Sequence, residues 1–167
     1  TGALTLLSTQ TASSSASISF TSGIDSTYDS YVFKFINIHP SADASFLTFQ
    51  TSTDGGSSYG VTLTSTFFRA YHDEAGSATA LGYVTASDLA QSTSFQRIIN
   101  DIGNDNDQNG SGTLQLFNLS STTFVKHWIA RTNTYNAINY TSDVCSAGYF
   151  NTTSAIDAVK FQMSSGN

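Results

Sequence analysis

The segment Tyr31–Pro40 carries the strongest β-strand signal in this chain. Side chains alternate across an extended strand, so the segment has an aromatic face and a mostly aliphatic face. These faces carry Tyr31, Phe33 and Phe35 on one side, and Val32, Lys34, Ile36 and Ile38 on the other. A strand that is apolar on both faces is typical of the middle of a covered sheet. The pattern therefore predicts a central core strand, and Pro40, which cannot donate to a ladder, marks its end.

Composition extends the β prediction to the whole chain. The 167 residues suit one domain, and only 11% of them are charged. Serine and threonine supply most of the polar surface, while β-branched and aromatic residues outnumber the strong helix formers. We expect a single domain over residues 15–167. Residues 1–14, with Leu4, Leu6 and Leu7, form either an edge strand or an arm that reaches a neighbouring subunit.

Further strand signals recur at short intervals along the chain. The clearest predicted hairpin joins Phe46–Thr53 to Val61–Tyr71 through the turn residues Asp54–Ser58, since Asp-Gly and Gly-Gly favour tight turns. Residues 87–102 fit a helical stripe or a strand, and the all-β context favours a strand at Phe95–Ile99.

The second half of the chain gives three more segments. Thr123–Thr132 is apolar on both faces and is the expected core partner of the opening strand. Asn133–Cys145 reads as a long loop, and Ile156–Met163 as the final strand. About nine or ten short strands without a 20–50-residue repeat predict an all-β, antiparallel β-sandwich of jelly-roll-like topology.

Charge and hydropathy exclude several classes of function. The net charge is −6, which disfavours contact with nucleic-acid phosphates. No apolar run approaches the roughly 20 residues that span a bilayer. The histidines His39, His72 and His127 lack the local spacing of a zinc site, and no nucleophile elbow or converging carboxylate pair stands out. We therefore expect a protein that is not an enzyme and that binds neither nucleic acid nor membrane.

One segment has the opening of a calcium loop. Asp105, Asp107 and Asn109 alternate and are followed by a glycine, as in loops whose side-chain oxygens converge on a hard cation. The glutamate expected at the twelfth position is replaced by Leu116. We interpret the segment as a solvated acidic turn and expect no cofactor, with calcium as the alternative.

Tyrosines in the second half suggest a binding surface. Tyr135, Tyr140 and Tyr149 lie near asparagines and threonines, a combination that suits sugar stacking or protein contacts. The alternative is ordinary packing of aromatic side chains.

Several blocks of the sequence resemble a family of small structural proteins encoded by marine bacteriophages. The resemblance begins at Ser26–Pro40 and covers most of the chain, continuing through Ser52–Tyr59, Asp88–Phe95, Gly103–Gln108, Thr122–His127 and Gly148–Asn167. Members of that family usually carry one more short strand after the position of Asn167. The resemblance implies a virion component and transfers no catalytic residues.

These observations lead to two hypotheses. The first is a decoration or head-fibre protein on the outer surface of the virion, assembled as a homotrimer and bound to other virion proteins, chiefly the major capsid protein, with residues 1–14 as a clamp. The second is a tail-fibre or receptor-binding domain that recognises host surface glycans through the tyrosines.

Overall fold

The computed structural model describes residues 3–167 and confirms an all-β, two-sheet architecture. Within these residues there are ten strands: β1 (Ile18–Phe20), β2 (Ser30–Ile38), β3 (Ser45–Ser52), β4 (Leu63–Asp73), β5 (Thr79–Tyr83), β6 (Gln96–Ile102), β7 (Gly110–Phe117), β8 (Lys126–Tyr135), β9 (Tyr140–Phe150) and β10 (Ala158–Met163). This part of the chain forms no helix that is long and apolar enough to cross a membrane.

The strand order is that of a jelly roll with one hairpin added. The small sheet has the order β1-β10-β3-β6, and the large sheet has the order β2-β7-β8-β9-β4-β5, with all pairs antiparallel. In an eight-stranded jelly roll, the first, last, third and sixth strands form one sheet, and the second, seventh, fourth and fifth form the other. The meander β7-β8-β9 therefore takes the place of that seventh strand.

The core is the layer of side chains between the two sheets. Phe49 of the small sheet lies at its centre, with its ring 5.2 Å from the ring of Trp128 and 6.2 Å from that of Phe150. Phe161 contacts Phe33 and Phe35 at 5.1 and 5.2 Å. These edge-on aromatic contacts bury large apolar areas and fix how the sheets stack.

The opening strand is placed differently from the prediction. β2 is an edge strand of the large sheet, paired with β7 alone. Tyr31 and Phe35 are buried, but Ile36 on the opposite face is 74% exposed. A register shift between Phe35 and Ile38, with Asn37 at a φ of 53°, kinks the edge. An apolar outer face thus does not require a covering layer within the subunit.

The predicted hairpin of β3 and β4 is also wrong. The turn forms, with Gly55 and Gly56 at positive φ, but β3 pairs with β10 and β6 whereas β4 pairs with β9 and β5. The turn therefore carries the chain from the small sheet to the large one. Turn chemistry is local, and it specifies a reversal of direction without specifying the strand's partner.

Three other predictions can be compared directly with the structure. The strand at 95–99 is confirmed as part of β6. The predicted loop 133–145 is wrong, because these residues form the β8–β9 hairpin. Residues 3–14 are exposed and contain no strand, while residues 1 and 2 of the predicted arm lie outside the described residues.

Candidate functional site

The outer face of the large sheet carries a cluster of exposed apolar side chains. Strand register places Tyr83 beside Phe68, Phe68 beside Cys145, and Leu81 beside Ala70. On the same face, two residues along β9 from Cys145, Ala147 lies beside Ile129 of β8. We call this the apolar face, and it consists of Phe68, Ala70, Leu81, Tyr83, Ile129, Cys145 and Ala147.

The large side chains of the apolar face are not covered by the rest of the subunit. The exposed fractions of its large residues range from 44% for Phe68 to 75% for Leu81. Single exposed apolar residues are normal, but a contiguous group on one flat sheet face is typical of an interaction surface. All five residues of the edge strand β5 are exposed, so the face extends to an open strand edge.

A polar groove borders the apolar face at the end of the β8–β9 hairpin. Two adjoining depressions, of about 320 and 510 Å³, share Asn133 on the outer face. His72, Glu74, Tyr135 and Thr141 are among the residues that line the first. Ser111, Gly112, Arg131 and Asp143 are among those that line the second.

Hydrogen bonds fix two side chains of the groove, Arg131 and Tyr135. Arg131 donates to both carboxylate oxygens of Asp143 at 3.3 and 2.9 Å, and these hydrogen bonds raise the pKa of Arg131. Partial desolvation, followed by the negative charge of Glu74, raises the pKa of Tyr135. The Tyr135 phenol therefore stays protonated at neutral pH and donates to Asn139 Oδ1 at 3.2 Å. The groove can offer donors, acceptors and one aromatic ring to a hydroxylated ligand.

The three predicted tyrosines do not form one surface. Tyr135 lies on the outer face in the row of Thr141 and His72. Tyr140 lies on the opposite face and stacks on Tyr71 with a centroid distance of 5.3 Å. Tyr149 is outside again, but at the far end of β9, where it pairs with His127. Tyr135 is thus the only one of the three that lines the groove.

The predicted calcium loop forms a compact turn between β6 and β7. Asp105 and Asp107 are exposed, and the Asp105 carbonyl accepts from Gln108 N at 2.9 Å. The carbonyl of Asn109 accepts from Tyr135 N at 3.0 Å, which ties the turn to β8. Among residues 3–167, no group of three acidic, histidine or cysteine side chains is placed to hold a metal ion. Calcium binding at Asp105, Asp107 and Asn109 stays the untested alternative.

An aspartate and a histidine near the site are held by structural partners. The buried Asp73 accepts hydrogen bonds from the hydroxyl and backbone of Ser77 and from Ala78 N, and these lower its pKa. It closes the β4–β5 turn beside the groove. His72 Nδ1 lies 2.7 Å from the backbone carbonyl of Asp73, so this ring atom is held by the main chain.

The N-terminal arm is a second exposed apolar feature. We define the arm as residues 3–14, all of which are exposed. Its leucines are exposed by 48% at Leu7 to 82% at Leu6. Gln10 Nε2 donates to Ser19 O at 2.9 Å, which ties the middle of the arm to β1.

The apolar face was missed at the sequence level, although a signal for it existed. Phe67 and Phe68 are consecutive within one predicted strand, so one ring must point away from the core. Leu81 and Tyr83, two residues apart, lie on one face of a predicted short strand. Periodicity finds such residues, but it does not indicate whether the second face is covered.

No protein-family model matches this chain, and neither a curated protein nor a solved structure is significantly similar to it. The apolar face, the groove and the arm are the features of this chain that bear on its function.

Proposed function

We propose that this protein is a non-enzymatic structural subunit that assembles through its apolar face. The observation that carries the proposal is the group Phe68, Leu81, Tyr83 and Ile129, exposed on one face of the large sheet. Burying such side chains against another subunit removes apolar area from water, which is the main driving force of association.

The setting that we propose is the outer surface of a bacteriophage particle. The resemblance to marine phage structural proteins supports this setting, and it is the only support for the virion itself. On the particle, a homotrimer would decorate the capsid or form a head fibre, in contact with the major capsid protein. The acidic net charge of −6 argues against a site facing packaged nucleic acid.

Solution mass tests the assembly directly. We expect the protein to sediment at about three times its 17.8 kDa subunit mass. The double variant Leu81→Ser/Ile129→Ser should dissociate it. The matched control Val32→Ser/Ile36→Ser removes two exposed apolar residues of β2, away from the apolar face, and should leave the mass unchanged. A wild type that stays monomeric at high concentration contradicts the proposal.

The position on the particle tests the setting. Immunogold labelling and quantitative mass spectrometry of purified particles should find many copies on the capsid lattice. Labelling confined to the tail would reject a capsid role in favour of a tail role.

A second candidate function is recognition of host surface glycans, as in a tail fibre. The groove around Asn133 and Tyr135 favours it, since amide, hydroxyl and aromatic groups together suit a sugar. On an array of host polysaccharides, Tyr135→Ala should abolish binding. Tyr140→Ala and Tyr149→Ala serve as controls, because these side chains lie outside the groove. Absence of binding by the wild type rejects this function.

Calcium is tested separately by titration calorimetry. If the β6–β7 turn binds calcium, Asp105→Asn/Asp107→Asn should abolish the heat of binding. No heat with the wild type rejects the calcium site.

A further inference from the structure

We propose that the N-terminal arm of one copy packs its leucines on the apolar face of a neighbouring copy. The inference rests on the proposed assembly and names the two surfaces that meet. Each surface is exposed and apolar within its own subunit, and contact between the two would remove both from water.

The arm has the properties of a docking segment. No charged residue occurs before Asp25, although the chain as a whole is acidic. Leu4, Leu6 and Leu7 are interrupted only by Thr5, so an extended arm presents leucine on both sides. Exposed to water, these side chains contribute no hydrophobic stabilisation, whereas contact with an apolar surface would bury them.

The apolar face matches the arm in chemistry. Its seven members are uncharged. Arg131, in the same row as Cys145, is neutralised by its ion pair with Asp143 at 2.9 Å. The carboxylate of Asp88 borders the face, where it accepts a hydrogen bond from the Tyr83 hydroxyl at 2.5 Å. An uncharged arm that packs on Phe68, Leu81 and Ile129 therefore covers no charged side chain of the face itself.

The geometry favours a neighbouring copy over the same chain. β1, from which the arm leaves, is the edge strand of the small sheet, and its Phe20 packs 5.2 Å from Phe33 of β2. β2 and β5 are opposite edges of the six-stranded sheet, about 24 Å apart at ~4.8 Å per strand. The apolar face lies on the outer side of that sheet and extends from Ile129 on β8 to Leu81 and Tyr83 on the edge strand β5. To reach Leu81 and Tyr83 in its own subunit, the arm would have to pass around the β2 edge and across the four strands between β2 and β5.

The contact joins two different surfaces, so each copy both donates an arm and accepts one. Such a contact closes into a ring when the rotation between copies allows it. In a ring of three copies, every arm is docked and every apolar face is covered, which is consistent with the expected homotrimer.

The native cysteine provides a direct test. Cys145 is free, half-buried and paired with Phe68 in the apolar face. In a Leu6→Cys variant under mild oxidation, we expect a disulfide between positions 6 and 145 of different copies, since a disulfide requires Cα atoms within about 7 Å. Mixing isotope-labelled and unlabelled protein before oxidation identifies inter-copy bonds as peptides of mixed isotope content. Leu6→Cys/Cys145→Ser is the chemical control. Thr11→Cys, in the polar part of the same arm, should not form the bond.

A mass measurement provides the second test. Leu4→Ser and Leu6→Ser, on one side of the extended arm, should each raise the dissociation constant by about tenfold or more, because burial of a leucine contributes that much to affinity. The triple serine variant also replaces Leu7 on the other side. The control Thr5→Ala/Thr9→Ala should leave the dissociation constant unchanged. If the wild type assembles but the triple serine variant assembles equally well, the arm inference is overturned while the proposed function stands. If the disulfide forms only within one chain, the inference is overturned as well. A monomeric wild type overturns both.

Discussion

The two faces of the large sheet are built by the same strands, but the inner face is buried and the outer face is exposed. On β8, the side chains of Lys126, Trp128 and Ala130 point inward and are buried, while Ile129 between them points outward and is exposed. Inner residues are constrained by the small sheet, which lies about 10 Å away in such sandwiches. Outer residues have no such constraint within the subunit. An apolar residue on the inner face is therefore explained by packing within the subunit, whereas a contiguous apolar group on the outer face is not.

The largest expected difference between the faces is at Trp128 and Ile129. Trp128→Ala should cost about 3–5 kcal/mol of unfolding free energy, since the ring is fully buried against Phe49. Ile129→Ala should stay within about 0.5 kcal/mol in dissociated subunits. Urea unfolding followed by circular dichroism measures both. Equal losses would show that the outer face is packed within the subunit.

A second variant at position 128 refines this test. Among residues 3–167, Trp128 Nε1 finds no hydrogen-bond partner. Trp128→Phe removes this buried donor and should therefore cost clearly less than Trp128→Ala. A Phe variant as unstable as the Ala variant would contradict the idea that the unpaired indole N–H is costly in the wild type.

The next contrast concerns two lysines. Lys126 is fully buried and donates to the carbonyls of Thr152 and Ser154 at 3.0 and 2.6 Å, while burial lowers its pKa. Lys126→Ala removes these bonds and leaves a cavity, so we expect a loss of about 3 kcal/mol. Lys34→Ala, exposed on the outer face of β2, should change stability by less than about 0.5 kcal/mol. Chemical denaturation at neutral pH distinguishes them, and a tolerated Lys126→Ala would contradict the inward role.

Sequence periodicity could predict the β-sandwich and most strands, because alternation along a strand is a local property. It could not predict which strands become neighbours. The turn at Asp54–Ser58 was read correctly as a turn, but β3 and β4 enter different sheets. The strand Tyr31–Pro40 was recognised, but its edge position depends on where β7 pairs.

The candidate site was less predictable for the same reason. Tyr135, Tyr140 and Tyr149 are close in sequence, yet hairpin formation sends them to different faces and ends of the sheet. The apolar face gathers Phe68, Leu81 and Ile129 from three strands through pairings that only the fold defines. Local patterns indicate that each of these residues is apolar and lies on a strand, but they do not show that the three lie side by side.

A smaller contrast lies at neighbouring positions of β9. A Cβ at Gly148 would lie 2.3 Å from the Thr64 carbonyl oxygen and 3.0 Å from Trp128 Cζ2, so Gly148→Ala forces the inner packing apart. We expect a loss of about 1–3 kcal/mol. Ala147→Ser, one residue away on the outer face, should be nearly neutral. Thermal melting of both variants provides the measurement, and a neutral Gly148→Ala would show that the inner face is loosely packed here.

The smallest effect concerns the turn that connects the two sheets. Ser52 Oγ donates to Asp54 Oδ1 at 2.7 Å and Ser58 N to the same oxygen at 2.9 Å, and such bonds lower the pKa of Asp54 from 3.8 to about 2. Because the folded-state pKa lies below the unfolded value, this stabilisation is present above about pH 3.8 and is lost as the pH falls toward 2. Asp54→Asn should therefore melt below the wild type at neutral pH, and the gap should close in acid.

Asp107→Asn, in the exposed turn between β6 and β7, provides the matched control and should melt like the wild type at neutral pH. If the Asp54→Asn gap stays constant from pH 5 to about pH 2, the carboxylate does not hold the turn. If instead the gap closes, acid weakens the link between the sheets while both faces of the large sheet are otherwise intact. The proposed assembly through the apolar face should then persist at pH values where this turn has already loosened, because none of its seven side chains carries a carboxyl group and the carboxylate in contact with it, Asp88, only accepts a hydrogen bond from the Tyr83 hydroxyl.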